Sequence, residues 1–199
     1  MQWNELQDSA KFLAYGGERV YGVYTDNSRA GGVVYSTIGN NGACFSDYLL
    51  LNGFADDVAR LNPQLIILSM GTNEGYSAKT DKQIADETRT LIRQLKQAKP
   101  GALFMLWTPQ ECHKKDADGN YQICDRVAEV SDIMLDVARD EGIAIWNYYD
   151  VAGGHGSSDR WLAAGLMNPR DHTHLLRDGY ALQGTLAARA IIAFLDSLR

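Results

Sequence analysis

The chain is short of the features that mark several functional classes. It has no excess of basic charge, since 19 Lys+Arg stand against 25 Asp+Glu for a formal net charge of −6. Phosphate contacts are made by Lys and Arg, so an acidic chain without a basic cluster is a poor nucleic-acid binder, and no such partner is expected. It has no apolar run approaching the ~20 residues that span a bilayer, so no membrane span is expected. Its start, Met1-Gln2-Trp3-Asn4-Glu5, lacks the basic and apolar regions of a secretory signal. Its four histidines lie among scattered acids with no His-Glu-x-x-His run, so no metal is expected. It has three cysteines, an odd number that permits at most one internal disulfide.

What is present describes a folded domain. Of 199 residues, 45% are hydrophobic and 22% charged, which places the chain away from disordered sequences. From about residue 33, short apolar runs alternate with helix-period segments. Val33 to Ile38 reads as a strand ending in Gly39-Asn40-Asn41-Gly42, with a helix expected from about Ser46 to Leu61. Gln64 to Met70 is a buried-strand run closed by Gly71-Thr72-Asn73-Glu74. Thr80 to Gln83 fits a capping box, and Ile84, Leu91, Ile92 and Leu95 continue it at helical spacing until Pro100-Gly101. Ala102 to Trp107 is the next strand, ending at Thr108-Pro109-Gln110-Glu111. Val127 to Glu141 reads as helix, Ile143 to Trp146 as strand, and Asp178 to Leu198 as the last helix. This rhythm predicts an α/β fold, a parallel sheet with helices on both faces, whose ligands gather beyond the carboxyl ends of the strands. Residues 1–32 do not share it. Lys11 to Ala14 and Arg19 to Tyr24 read as short strands around Gly16-Gly17, so 1–32 is expected to be a β-rich appendage and 33–199 the α/β domain.

Cys112 and Cys124 flank Asp116-Ala117-Asp118-Gly119-Asn120. A three-residue hairpin loop, Ala117 to Gly119, with Gly119 in the left-handed region sets Asp116 against Asn120 and hence Cys112 opposite Cys124. Opposed strand positions can meet disulfide limits, so a bridge and two free thiols both stay open. The same stretch is rejected as a calcium loop, because its Gly is misplaced and position twelve would be Val127.

The chemistry-bearing residues lie in the polar stretches that follow strands. In Asp171-His172-Thr173-His174 the spacing lets the Asp171 carboxylate reach the His174 ring and fix its tautomer, as a general base requires. Asn73 follows an apolar strand and could donate to a developing oxyanion. Gly39 to Gly42 could offer backbone N–H groups to an anion, but it is a poor dinucleotide fingerprint, since the position about twenty residues on is Ala59 rather than an acid.

Together these blocks resemble the SGNH, or GDSL-type, hydrolases. Gly42 in Ile38 to Ala43 matches the family's second block, Gly71-Thr72-Asn73-Glu74 the third with Glu74 in place of Asp, and Asp171 to His174 the fourth, supported by Gly179-Tyr180. The wording Gly32-Val33-Val34-Tyr35 and Gly165-Leu166-Met167 looks like the subfamily that contains peptidoglycan O-acetylesterases. The resemblance implies a flavodoxin-like sheet and a cofactor-free serine esterase acting on an acylated carbohydrate, a peptidoglycan-like polymer or another small ester. It also implies export to the periplasm or cell envelope. Residues 1–32 then look like the tail of an inserted β module. The implied roles are His174 as base, Asp171 as its orienter, and Gly42 with Asn73 as the oxyanion hole.

The departure is the first block, since no Gly-Asp-Ser occurs in the chain. The nucleophile is therefore unassigned, and three readings stay open. It lies in a segment upstream of Met1; it is Ser28, in Thr25-Asp26-Asn27-Ser28-Arg29-Ala30-Gly31-Gly32; or the chain uses another nucleophile or is a non-catalytic carbohydrate-binding relative. Ser28 stands too close before Gly42 for the usual intervening helix, and Ser9 lacks a preceding strand. The remaining polar candidates read as accessories. His155, in Gly153-Gly154-His155-Gly156, has no acid at suitable local spacing and reads as a loop or substrate-contact residue. His113 is expected to be solvated and Trp107 to be core, while exposure decides whether Trp161 is core or sugar platform.

Overall fold

A computed structural model of the chain describes residues 31–197. The chain divides into two compact units, Met1–Asn40 and Asn41–Arg199. Of the first unit only residues 31–40 are described, and they carry no helix or strand. This corrects the strand expected over Val33 to Ile38: a strand exists through its ladder, and among the described residues these form none. The strands expected between Lys11 and Tyr24, and Ser28 with them, lie outside the described residues.

The second unit begins with α1 (Phe45–Leu49) and α2 (Phe54–Arg60). They replace the single helix expected over Ser46 to Leu61. The chain turns at Gly53, whose φ of +79° lies in the left-handed region that only glycine enters freely, so the helix must stop and restart. β1 (Leu65–Ser69), β2 (Leu103–Trp107) and β5 (Ala144–Trp146) form a parallel sheet in the order β1-β2-β5. Between the first two runs α4 (Asp81–Ala98), which begins as its capping box requires. The Gln83 N–H bonds the Thr80 hydroxyl at 3.3 Å, and the Thr80 N–H bonds the Gln83 side chain at 2.9 Å. Each bond satisfies a donor that the helix start leaves unpaired. β3 (His113–Lys115) and β4 (Tyr121–Ile123) form an antiparallel hairpin, followed by α5 (Asp125–Glu141).

Side chains alternate across the sheet, as the two-residue period of a strand demands. Ile66, Leu68, Phe104, Leu106 and Ile145 face a core shared with Ile84, Leu91, Ile92 and Leu95 of α4 and Val130, Met134 and Val137 of α5. Leu65, Ile67, Met105, Trp107, Ala144 and Trp146 face the opposite core. That core is closed by Trp161 of α7 (Ser157–Ala163) and Leu186, Ala187, Ala190 and Ile191 of α8 (Arg177–Asp196). Fully burying one such side chain stabilises the fold by roughly 1.5–3 kcal/mol. The layered α/β architecture expected from the alternation is therefore the one observed. Its polar strand ends, Gly71 to Glu74 after β1 and Thr108 to Glu111 after β2, leave the sheet at the same edge.

Candidate active site

The Asp171–His174 segment hangs from a short antiparallel closure between α7 and α8. Met167 bridges Leu175, the Leu176 N–H bonds the Leu166 carbonyl at 2.7 Å, and the Asn168 N–H bonds the His174 carbonyl at 2.8 Å. Gly179 must be glycine here, because a Cβ would sit 2.2 Å from the Leu166 oxygen. Inside the closure, Asp171 Oδ1 accepts the N–H groups of Thr173 and His174, each at 2.9 Å. Its Oδ2 accepts the Asn168 amide at 2.7 Å and faces His174 Nδ1 at 3.2 Å. Partial burial works against the charged carboxylate. The His174 and Thr173 N–H groups and the His174 ring outweigh it and hold the Asp171 carboxyl below the usual carboxylate range. His172 completes the turn with φ of +53°.

Asn73 lies on α3 (Thr72–Tyr76), a short helix where the sequence reads only as a polar turn. Gly71 before it has φ of +113° and packs so closely that a Cβ would fall 2.7 Å from Pro109. The Asn73 amide donates one of its two hydrogens to the Ala43 carbonyl at 2.9 Å, in the turn that follows Gly42, whose φ is +79°. Tyr76, one turn on, bonds the Thr173 hydroxyl at 2.7 Å. The helix carrying Asn73 thus touches both the Gly42–Ala43 turn and the loop carrying His174. Glu74 is wholly buried: its Oε1 accepts the Phe45 N–H at 2.6 Å, and its Oε2 has no partner. Burial pushes its carboxyl up, and burial together with Glu74 pushes the neighbouring Cys44 thiol up to about 11, so Cys44 is no thiolate at neutral pH.

One histidine departs from its sequence reading, and another keeps it while meeting an acid distant in sequence. His113 is not solvated but 6% exposed, with Nε2 on Asp159 at 3.0 Å. His155 does have an acid. Glu111, 1% exposed, places Oε1 at 3.3 Å from His155 Nδ1 and also accepts the Gly156 N–H, the Ser158 N–H and the Ser158 hydroxyl. Desolvation opposes the charge, but the Ser158 and Gly156 donors and His155 hold the Glu111 carboxyl low. Sequence reasoning missed Glu111 and Asn168. The Asn168-Pro169-Arg170-Asp171 turn is the signal that could have found Asn168, whose Oδ1 accepts the Arg170 N–H at 3.0 Å.

Trp161 is 9% exposed and donates its indole N–H to the Ala152 carbonyl at 2.8 Å, so it belongs to the core. Trp107 packs edge-on against Trp146, as a core residue does. Cys112 and Cys124 stand opposite one another as the loop register requires: the Cys124 N–H bonds the Cys112 carbonyl at 2.9 Å, and both thiols are free. Among the described residues no group of three or more His, Cys, Asp or Glu is arranged to hold a metal, and no helix is long and apolar enough to cross a membrane.

Residues 9–182 match the model of the GDSL-like lipase/acylhydrolase family. Among solved structures, a peptidoglycan O-acetylesterase aligns with 24% identity and a TM-score of 0.70 over 79% of this chain and 45% of that one. A putative acylhydrolase from Bacteroides fragilis aligns with 18% identity and a TM-score of 0.58 over 77% of this chain and 72% of that one. An acetyl xylan esterase aligns with 18% identity and a TM-score of 0.55 over 76% and 78%. These likenesses show the α/β fold. The chain spans 45% of the length of the peptidoglycan O-acetylesterase that it matches. No curated protein matches it.

Proposed function

Because the chain belongs to the GDSL-like lipase/acylhydrolase family, we propose that it is a serine esterase that removes acetyl groups from a carbohydrate or a peptidoglycan-like polymer, with export to the cell envelope as its setting. The observation that carries this reading is the Asp171–His174 pair at 3.2 Å, joined through Thr173 and Tyr76 to the helix whose Asn73 bonds the Ala43 carbonyl. The imidazole takes the proton of an attacking serine hydroxyl and later gives it to the leaving alcohol. Asp171 sets the tautomer by accepting a hydrogen bond from Nδ1–H, the proton staying on the ring, which leaves Nε2 to act as the base. The Gly42 N–H and the second Asn73 amide hydrogen receive the charge that forms on the carbonyl oxygen, and a donor of this kind is worth ~3–4 kcal/mol in the transition state. Water then releases the acyl group, and no cofactor takes part.

The serine itself is the open part of the site. Among the described residues no serine hydroxyl is hydrogen-bonded to His174. Ser28 lies outside the described residues, and the second reading is a carbohydrate-binding relative that keeps the cleft without turnover. Fluorophosphonate labelling with peptide mapping separates the two. Stoichiometric labelling of one serine, lost in His174→Ala together with hydrolysis of 4-nitrophenyl acetate, supports the esterase. Glycan binding without labelling or turnover supports the binding protein.

A further inference from the structure

The β3–β4 hairpin sits against the loop that carries Asp171 and His174, and its contacts are directed at that loop's backbone. The Tyr121 ring stacks on the His172 ring at 3.8 Å between centroids and 15° between planes. The Tyr121 hydroxyl donates to the Arg170 carbonyl at 2.6 Å. From the facing strand, the His113 N–H donates to the His172 carbonyl at 3.0 Å, and its ring meets the His172 ring edge-on at 5.1 Å. The carbonyls on both sides of Asp171 are thereby tied to the hairpin. The hairpin is itself anchored on its far side, through His113 Nε2 on Asp159 and through the Tyr76 hydroxyl on the His113 carbonyl at 2.8 Å.

The point of attachment is the one residue of the loop whose backbone needs support. His172 has φ of +53°, a region that side-chain-bearing residues adopt only when the surroundings over-determine it. That conformation turns the chain so that both Thr173 and His174 direct their N–H groups at Asp171 Oδ1, which brings the His174 ring back onto Oδ2. If His172 relaxes to an ordinary backbone angle, the turn opens and the Asp171–His174 pair separates. A displacement of ~1 Å in a reacting group can lose on the order of a hundredfold in rate.

We propose that the 112–124 hairpin is a brace for the general base and that Tyr121 is its principal positioning residue, holding His172 in the left-handed turn on which the Asp171–His174 pair depends. The catalytic consequence rests on the esterase reading, whereas the brace itself does not, so the test has two arms. Hydrogen exchange over residues 166–176 of the whole chain reads the turn, and hydrolysis of 4-nitrophenyl acetate reads the base. Tyr121→Leu removes both the stack and the bond to Arg170. It is expected to speed exchange at the Thr173 and His174 amides at least tenfold with α4 and α5 unchanged, and to lower kcat by a similar factor with KM within twofold. Tyr121→Phe keeps the ring and loses only the hydroxyl. It is expected to restore most of kcat, with exchange at these amides two- to fivefold above that of the unaltered chain. Should Tyr121→Leu loosen α4 and α5 as well, Tyr121→Phe decides by whether its faster exchange is confined to the loop. Unchanged exchange over 170–174 in both variants overturns the brace. Faster exchange with undiminished kcat overturns Tyr121 as a positioning residue. An unaltered chain without turnover counts against the esterase reading, and the exchange arm then decides the brace alone.

Discussion

Two histidines in this protein rest Nδ1 on a carboxylate at nearly the same distance, His174 on Asp171 at 3.2 Å and His155 on Glu111 at 3.3 Å. The pairs differ in where the acid sits. The Asp171 side chain is 39% exposed and receives its donors from its own turn, while that of Glu111 is wholly buried and receives its donors from the distant start of α7. The first acid serves its histidine, because the turn that binds the carboxylate is the same turn that delivers the ring. The second serves the chain: it gathers Gly156 and Ser158 onto the end of β2, and His155 is one visitor among several donors. Equal distances in the two pairs therefore carry different meanings.

The largest expected effect separates the two rings. His174→Ala is expected to lower acetyl-ester turnover by about a thousandfold or more, since losing one member of such a site removes most of its rate. His155→Ala is expected to change it less than tenfold. Steady-state kinetics on 4-nitrophenyl acetate measures both, and equal losses would dissolve the distinction. Next in size is stability. Glu111→Ala strands the buried Ser158 N–H and hydroxyl and the half-buried Gly156 N–H and is expected to cost about 3 kcal/mol in urea unfolding. Asn168→Ala removes one donor to a half-exposed acid and is expected to cost about 1 kcal/mol, with a several-fold loss of kcat.

The smallest effect is in the pH dependence, where a third acid sharpens the contrast. Asp171 and Glu111 titrate below their unfolded values, so the stability they contribute is present above about pH 4–4.5 and is lost as pH falls through their folded values. Glu74 has the opposite sign. Its raised carboxyl favours the folded state fully below its unfolded value, and that advantage is lost as pH rises through the folded one. Urea titrations at pH 3 to 8 are expected to show Glu111→Gln flattening the acid limb. Glu74→Gln is expected to gain stability towards pH 8. A Glu74→Gln curve parallel to that of the unaltered chain would remove the buried, unpartnered oxygen as a source of strain.

Much of this layout was legible in the sequence, wherever a local rule settles the outcome. Continuous apolar runs placed β1 and β2, the Thr80–Gln83 box started α4, and the Ala117–Gly119 loop set the register that puts Cys112 opposite Cys124. Asp171 and His174 were legible for the same reason, because three residues of turn suffice to close the pair. What escaped depends on partners far along the chain. Val33 to Ile38 has strand composition, but composition supplies no ladder. Glu111 finds its donors at Gly156 and Ser158, a pairing that no local spacing announces. His113 lies in the expected hairpin excursion and looks solvated, yet the β3–β4 hairpin packs it between Asp159 and His172.

Asp171 has one more consequence. A carboxylate offers about four lone-pair sites, and here all four are taken: two by backbone N–H groups, one by the Asn168 amide and one by the His174 ring. An acid saturated in this way has no room to store a proton. Protonation would require one of the four donors to turn away, and two of them are backbone groups fixed by the turn. Asp171 is thereby held as the carboxylate down to a pH below the usual carboxylate range, and it fixes the His174 ring through Nδ1 alone, leaving the far nitrogen clear of the acid.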